Sequence, residues 1–361
     1  MRKRYGDAFL GLCDLTYEKR TPLFEELPVE VVACCLCGAS DYSEVLSQQD
    51  LAHHLSSEFF SVVKCRQCQL LYLNPRPTRD EMSAYYPPEY FPENGERHVQ
   101  SLERIARRQS GVKRYIREDF YGYPFDARNR ILGSLRRMLL WPEKIRRELR
   151  GQYPIPWCGS GRVLDVGCGA GTNMIALQAQ GWDVHGVDVS PVAVSLASSY
   201  FGDRVQLGTL HSARYADRSF DVVLFSHSLE HMFNPIEVLR EAHRVLVHEG
   251  RVVVTLPNAG GAEAKIFGKW WFPWELPRHL FHFDEATLRR MLSVSGFHVL
   301  STRTGVGTLY FLASLERVLR YRFGRTFRFR TAIEKFVAKP FCLVAGHLGH
   351  GTELTAYAEK R

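Results

Sequence analysis

The 361-residue chain has no long apolar run, no internal repeat and no low-complexity tract. A membrane-spanning helix needs roughly 18 consecutive apolar residues, so the absence of such a run argues against an integral membrane protein. The first residues carry charge but lack the apolar stretch of a signal peptide. We therefore expect a cytoplasmic protein whose cysteines stay reduced. At this length the chain can hold two domains of roughly 150 residues each.

The chain contains nine cysteines, and in a reduced protein these are metal ligands or core residues rather than disulfides. Cys34 with Cys37 and Cys65 with Cys68 form two Cys-x-x-Cys pairs, separated by 27 residues. Two such pairs can present four thiolates to one tetrahedral Zn²⁺ ion, so the sequence predicts a closed, structural zinc site. Cys35 does not fit the spacing. The alternative is four thiols packed in a small core.

Positive charge is unevenly spread along the chain. The net charge is +8, yet residues 97–150 alone contain 15 Lys and Arg against 6 Asp and Glu, and a second basic stretch covers residues 316–340. Apolar residues at helical spacing in 132–139 share one face, with arginines opposite. This pattern fits an interfacial helix that touches anionic lipid or a polyanionic substrate, or a helix packed on the main domain with a solvated basic face.

Strand and helix patterns alternate from Gly161 onward. Residues 162–167 and 220–226 are apolar strands, and residues 234–250 have the pattern of an amphipathic helix before a further strand. This alternation predicts an α/β fold with a parallel sheet covered by helices on both faces. In such sheets ligands bind at the carboxyl ends of the strands.

A glycine-rich turn, VLDVGCGAGT, follows the first of these strands. Glycines at 167, 169 and 171 let the backbone turn tightly and approach a ligand without a Cβ in the way. The strand before them ends in Asp165. Asp188 ends the next strand about 20 residues later, at the position where an acid hydrogen-bonds the ribose hydroxyls of a nucleoside cofactor.

The turn does not match the dinucleotide fingerprint G-x-G-x-x-G, because Thr172 stands where the third glycine belongs. Asp165 would also repel a pyrophosphate. An acid at this position suits a cofactor that carries a cationic amine.

Five stretches together resemble the class I S-adenosylmethionine-dependent methyltransferases in their seven-stranded Rossmann-like form. These are VLDVGCGAGT, VHGVDVS, SFDVVLFSHSLEH, LREAHRVLVHEGRVVVTLPN and PRHLFHFDEATLRRMLSVSGFHV, spread over roughly 161–301. The front half resembles the subgroup that carries a four-cysteine zinc module before the methyltransferase domain. That subgroup includes deoxysugar C-methyltransferases and many enzymes that modify sugars or glycans.

The resemblance implies a division of the chain and a set of cofactor contacts. The expected segments are an N-terminal extension (1–33), a zinc-ribbon-like module (34–77), a basic helical connecting segment (78–150) and a methyltransferase domain (151–361) with an aromatic loop (258–283) and a basic insertion (305–345). The implied contacts of S-adenosylmethionine are Asp165, Gly167, Cys168, Gly169, Gly171 and Ser226 at the methionine end, Asp188 at the ribose, and Val189, Thr209 and the backbone of Leu210 at the adenine. Thr209 stands where many members have an acid.

Two segments offer a catalytic base for removing the acceptor's proton. Residues His227, Glu230 and His231 follow the fourth strand, and Glu275, His279 and His282 lie in the aromatic loop among Trp270, Trp271 and Trp274. We expect His279 to be the base, since a histidine titrates near neutral pH. The alternatives are a structural role for the Leu-Glu-His stretch and a purely hydrophobic lid for the aromatic loop, whose rings otherwise stack on sugar faces or on a lipid chain.

A zinc module with basic charge also fits nucleic-acid binding. Methyltransferases that act on base amino groups carry an Asn/Asp-Pro-Pro-aromatic motif after the fourth strand, and here that position reads SHSLEH. We therefore expect a carbohydrate or other small-molecule acceptor, with RNA, a lipid or a polyketide as alternatives. The basic helices leave open a contact with the inner face of the membrane.

Overall fold

The computed structural model describes residues 27–87, 90, 111–124, 130–325 and 330–361. Most of the predicted extension, residues 88–89, 91–110 and 125–129 of the basic connecting segment and residues 326–329 of the second basic stretch lie outside the described residues. Within them, no helix is both long and apolar enough to cross a bilayer.

The described strands and helices are as follows. The strands are β1 Val29–Glu30, β2 Tyr42–Gln48, β3 Phe60–Cys65, β4 Leu71–Leu73, β5 Arg76–Pro77, β6 Arg162–Val166, β7 Asp183–Asp188, β8 Val205–Leu207, β9 Phe220–Ser226, β10 Leu246–Pro257, β11 Phe281–His282, β12 Phe297–Thr304 and β13 Glu353–Lys360. The helices are α1 Gly111–Tyr121, α2 Arg130–Glu148, α3 Thr172–Gln178, α4 Pro191–Phe201, α5 Pro235–Val245, α6 Ala262–Phe267, α7 Glu285–Val294, α8 Leu309–Phe323, α9 Arg330–Ile333 and α10 Lys339–His347.

The larger sheet has seven strands in the order β12-β13-β10-β9-β6-β7-β8. The five strands from β10 to β8 are mutually parallel, and β13 is antiparallel to both of its neighbours. This confirms the predicted α/β fold with a seven-stranded Rossmann-like sheet. The chain runs outward from β6 to β8 and then returns to the other side of β6 at β9, so the carboxyl ends of β6 and β9 flank the switch point where ligands bind.

Local sequence explains where the helices of this domain begin. Ser190 and Asn234 each accept a hydrogen bond from a backbone amide in the first turn, and a proline follows each of them. The predicted helix over 234–250 was too long, because α5 ends at Val245 and the next five residues begin β10. The β-branched pair Val245 and Val247 favours this early change to strand.

The smaller sheet joins the cysteine module to the aromatic loop. Its order is β11-β4-β3-β2, and β11, which comes from the loop, pairs antiparallel with β4 through Phe281 opposite Tyr72. A further backbone hydrogen bond runs from the amide of Leu73 to the carbonyl of Leu280, at 2.9 Å. The segment predicted as a loop therefore supplies the edge strand of the module's sheet.

A buried ion pair reinforces this junction. Arg278 donates from Nη2 and Nη1 to the two carboxylate oxygens of Asp50, at 2.8 and 3.0 Å, and from Nη1 to the carbonyl of Tyr85 at 2.9 Å. Both side chains of the pair are fully buried. A buried charge without its partner is strongly destabilising, so Arg278 requires the module to be docked beneath the loop.

The basic connecting segment exposes its apolar side. In α2, Leu135, Met138 and Leu139 are 51%, 66% and 67% exposed. Ion pairs join α2 to α1, with Arg136 donating to both oxygens of Asp119 at 2.7 and 2.8 Å. These three side chains are therefore exposed within the described part of the chain, and the interfacial role stays a prediction.

We predict that Asp50→Ala lowers the free energy of unfolding by about 3–5 kcal/mol, because Arg278 is left buried and unpaired. Burial acts against ionisation of Asp50, but Arg278 outweighs it and lowers the pKa of Asp50 to about 2. This contribution to stability is present above about pH 4, the ordinary pKa of Asp, and is lost as the pH falls toward 2. Urea unfolding at pH 7 and at lower pH measures both effects.

The matched control is Asp41→Ala, which removes an exposed ion pair with Arg66 in the same module. We expect it to change the free energy of unfolding by less than about 1 kcal/mol. Equal effects of the two substitutions would contradict a special role for the buried pair.

Candidate active site

The glycine turn after β6 lets the backbone come close to neighbouring groups. Gly167, Gly169 and Gly171 have φ of 76°, 53° and 80°, in the left-handed region that favours glycine. A Cβ on Gly167 would lie 2.6 Å from the Cβ of Ser228, which follows β9. The hydroxyl of Ser228 donates to the carbonyl of Val166 at 2.6 Å. The turns after β6 and β9 are therefore in direct contact at the switch point.

Asp165 is a buried acid beside this turn. Neither carboxylate oxygen has a close hydrogen-bond partner, and the side chain is almost fully buried. Burial, followed by the negative charge of Asp188, raises the pKa of Asp165 to about 8, although the nearby side chain of Asn173 acts in the opposite direction. An unpaired buried carboxylate is costly, so this position fits a cationic group of a ligand.

The other predicted cofactor residues line the same edge of the sheet. Asp188 accepts hydrogen bonds from the amides of Gly169 and Ser190, each at 2.8 Å, so it also ties the glycine turn to the end of β7. Val189 is exposed and Leu210 is buried. The Thr209 hydroxyl already accepts from the amide of Ser212 at 3.1 Å.

Ser226, at the end of β9, lines a cavity of about 240 Å³ on one face of the sheet. Polar residues at the ends of neighbouring strands and on α3 also line it, among them Thr255, Thr355, Tyr357 and Asn173. The sequence analysis missed these residues. The signal that could have indicated them is the occurrence of polar residues near the ends of otherwise apolar strands.

The four paired cysteines converge, and their sulfur atoms all lie within 4.8 Å of one another. Cys34 and Cys68 are 3.4 Å apart, and Cys37 and Cys65 are 3.5 Å apart. Sulfur atoms on one tetrahedral Zn²⁺ with bonds near 2.3 Å are separated by about 3.8 Å. The residues present therefore fit a zinc ion, and Cys35 is not part of the group.

Each cysteine pair lies on a tight turn with similar hydrogen bonds. The amide of Gly38 donates to the carbonyl of Cys34 at 2.7 Å, and that of Gln69 donates to Cys65 at 3.0 Å. Both donor residues have positive φ, at 76° and 67°. Backbone geometry rather than the thiols alone thus directs each pair inward.

The two segments predicted to offer a base meet in one cluster. The rings of His231 and His279 are 4.6 Å apart between centroids, and the amide of Leu280 donates to the carbonyl of Glu230 at 2.8 Å. Nε2 of His279 lies 3.5 Å from an oxygen of Glu275. The two segments that the sequence offers as alternative sources of the base are therefore neighbours in the fold.

Carbonyl groups determine which nitrogen of each histidine carries a proton. Nδ1 of His231 lies 3.1 Å from the carbonyl of Arg278, and Nδ1 of His279 lies 2.7 Å from that of Pro273. A carbonyl can only accept, so each Nδ1 donates. In its neutral form each ring then has its lone pair on Nε2.

The charges of the cluster are strongly perturbed. Burial opposes protonation of His227, but the carboxylates of Glu230 and Glu353, at 3.6 and 3.4 Å, raise its pKa to about 10. Burial and the nearby His279 lower the pKa of His231 to about 4. Burial opposes ionisation of Glu275, but His279 and Arg278 lower its pKa to about 2. With these pKa values His227 is protonated at pH 7 and His231 is neutral, which counts against His227 as the base.

Backbone strain also occurs in this cluster. His227 and Glu275 have φ of 53° and 37°, which non-glycine residues seldom adopt. Such strain persists where surrounding structure imposes it, and it is concentrated at functional sites.

The expected aromatic platform is largely core. Trp271 is fully buried and Trp274 is buried, while Trp270 stacks on Tyr321 at 5.6 Å. Trp271 and Trp274 share one hydrophobic core with residues of the module, which favours the lid alternative for these two rings. The half-buried rings near the cluster are those of Tyr86, Tyr90, Phe272 and Tyr310.

Comparison with known proteins identifies the central part of the chain. A family model described as a methyltransferase domain matches residues 123–302. This region of the chain is therefore similar to that family. The matched region contains the glycine turn, the segment after β9 and the aromatic loop, and it leaves out the cysteine module.

Curated relatives match over shorter segments. The uncharacterized methyltransferase YcgJ of Bacillus subtilis (strain 168) is 33% identical over 99 residues, which are 26% of this chain and 39% of YcgJ. Ubiquinone biosynthesis O-methyltransferase of Pseudomonas aeruginosa (strain UCBPP-PA14) is 34% identical over 103 residues, 27% of this chain and 44% of that protein. The chain thus spans less than half the length of these two relatives. The solved structure of YcgJ aligns with 56% of this chain and 92% of its own, at 21% identity and a TM-score of 0.36.

We predict that S-adenosylhomocysteine binds and that binding at pH 7 releases close to one proton. Asp165, with a pKa of about 8 in the free protein, holds a proton at pH 7 and loses it when a cationic amine is placed beside it. Calorimetry in two buffers of different ionisation enthalpy measures this release.

In Asp165→Asn we expect no proton release and binding at least tenfold weaker, about 1.4 kcal/mol. The control is Asp183→Asn, at the opposite end of β7, which should leave binding and proton release unchanged. A wild-type protein that binds NAD but neither S-adenosylmethionine nor S-adenosylhomocysteine would refute the assignment of the cofactor.

Proposed function

We propose that the chain transfers a methyl group from S-adenosylmethionine to a carbohydrate or carbohydrate-linked acceptor. The observation that supports it most directly is the partnerless buried carboxylate of Asp165 beside the glycine turn, within a domain of the methyltransferase family. In this proposal Asp165 and residues 167–171 hold the methionine end, and Asp188 holds the ribose. Val189, Thr209 and the backbone of Leu210 border the adenine.

Bound S-adenosylmethionine supplies an electrophilic methyl group on a positively charged sulfur. The protein has to align the acceptor and take up its proton. We assign the proton uptake to the group Glu230, His231 and His279. Protonated His227, between Glu230 and Glu353 at 3.6 and 3.4 Å, holds the two carboxylates in place instead of acting as the base.

Two features favour a carbohydrate over a nucleic acid. Half-buried rings of Tyr86, Phe272 and Tyr310 offer flat surfaces for sugar C–H groups next to carboxylates and imidazoles that hydrogen-bond hydroxyls. The carboxylates of Glu230 and Glu275 would repel a phosphate backbone brought into the same space. RNA and a lipid or polyketide stay the alternative acceptors.

We also propose that Cys34, Cys37, Cys65 and Cys68 hold one structural zinc ion. The separations between their sulfur atoms support this proposal. Through β3 and β4 the ion would stabilise the sheet to which the aromatic loop adds its strand.

After dialysis against a chelator that removes loosely bound ions, we expect one zinc per chain in the wild type and almost none in Cys65→Ser. The substituted protein should also unfold at a lower temperature, because structural zinc contributes directly to folding free energy. Cys35→Ser is the control and should keep its zinc. Full zinc retention by Cys65→Ser in elemental analysis is incompatible with the proposal.

For the transfer itself, we predict that His231→Ala and His279→Ala each reduce turnover roughly a hundredfold while the affinity for S-adenosylhomocysteine stays within twofold. Loss of a proton acceptor affects turnover more than cofactor binding. The assay follows labelled methyl from S-adenosylmethionine into a mixture of sugar nucleotides and glycan fragments, with RNA in parallel.

His243→Ala, on α5 away from the cluster, is the control and should retain wild-type turnover. If His279→Ala retains turnover and His231→Ala abolishes it, the aromatic loop is only a lid. Label that enters RNA and never a carbohydrate shows that the acceptor class is wrong.

A further inference from the structure

Glu230, His231 and His279 form a second group with the composition of a metal site. One ligand atom from each lies within 4.8 Å of the other two. Ligand atoms on one ion lie roughly 3 to 4 Å apart when the bonds are near 2.1 Å, so small side-chain rotations bring all three onto a common centre. The set is unlike the cysteine group, because it contains no thiolate.

The two histidines are oriented as metal ligands are. Metal-binding imidazoles usually donate their second ring N–H to a carbonyl or carboxylate, which determines the tautomer and the ring orientation. Nδ1 of His231 and Nδ1 of His279 both donate to backbone carbonyls, at 3.1 and 2.7 Å. Each Nε2 is then available to an ion.

Glu230 supplies an independent indication. Its side chain is 1% exposed, and neither carboxylate oxygen has a hydrogen-bond partner. Nδ1 of His227 lies 3.6 Å from one of these oxygens. A buried carboxylate with this little compensation is costly, and a bound cation would provide the missing partner.

We propose that Glu230, His231 and His279 bind a divalent first-row transition metal ion. Two imidazoles and one carboxylate suit such ions better than Mg²⁺ or Ca²⁺, which prefer all-oxygen sites. Three protein ligands leave coordination positions open. The binding rests on this geometry alone. With the ion bound, the Nε2 lone pairs of His231 and His279 are no longer free to take up a proton, so the ion would instead activate the acceptor by binding its oxygen and promoting loss of its proton to water. That role rests on the proposed function.

The test uses full-length protein with its cysteine-bound zinc and Co²⁺ as the added probe. The wild type should bind one equivalent of Co²⁺, with the weak visible absorption of a nitrogen and oxygen site and no intense thiolate charge-transfer band. Glu230→Gln and His279→Ala should each weaken Co²⁺ binding at least tenfold and still bind S-adenosylhomocysteine, which shows that the fold is intact. The control His243→Ala should bind Co²⁺ like the wild type.

Absence of saturable Co²⁺ binding in the wild type would overturn the proposal, and so would unchanged binding in both ligand variants. Co²⁺ binding without methyl transfer to any acceptor would support the metal site and count against the proposed function. Full methyl transfer by a protein that binds no Co²⁺ would support the proposed function and count against the metal site.

Discussion

The buried pair between Arg278 and Asp50 is the constraint on which the rest of the site depends. Arg278 is fully buried, contacts Asp50 through both carboxylate oxygens and lies 3.4 Å from Glu275. Its carbonyl accepts from His231. A guanidinium cannot be held in a dry interior without its counter-ion. The cysteine module therefore positions the aromatic loop, and the loop positions His279 against the segment after β9.

The walls of the candidate site come from two parts of the molecule, the seven-stranded sheet and the cysteine module. The seven-stranded sheet supplies the ligand edge, where Asp165 and the glycine turn lie against Ser228. The module supplies the opposite wall through Asp50 and through β4, which pairs with β11 of the aromatic loop. The acid and histidine cluster forms only where the two meet, which explains why its residues come from distant parts of the chain.

Much of the cofactor edge could be predicted from sequence, because its signals are local. The spacing of Asp165, three glycines and Asp188 follows from one strand, turn and strand unit, and the cysteine pairs follow from their own turns. The meeting of His231 with His279 could not be predicted, since it depends on β11 pairing with β4, far away in sequence. Burial of Trp271 could not be predicted for the same reason, since it also depends on the pairing of β11 with β4. The cavity beside Ser226 depends on β13, which enters the sheet from the end of the described chain.

The most direct test of the account is a crystal structure of the protein with S-adenosylhomocysteine. The account predicts that its amino group lies beside Asp165 and that its sulfur faces Glu230, His231 and His279. A sulfur that points away from these three side chains would contradict it, because the acceptor would then bind on the other side of the cofactor from the cluster.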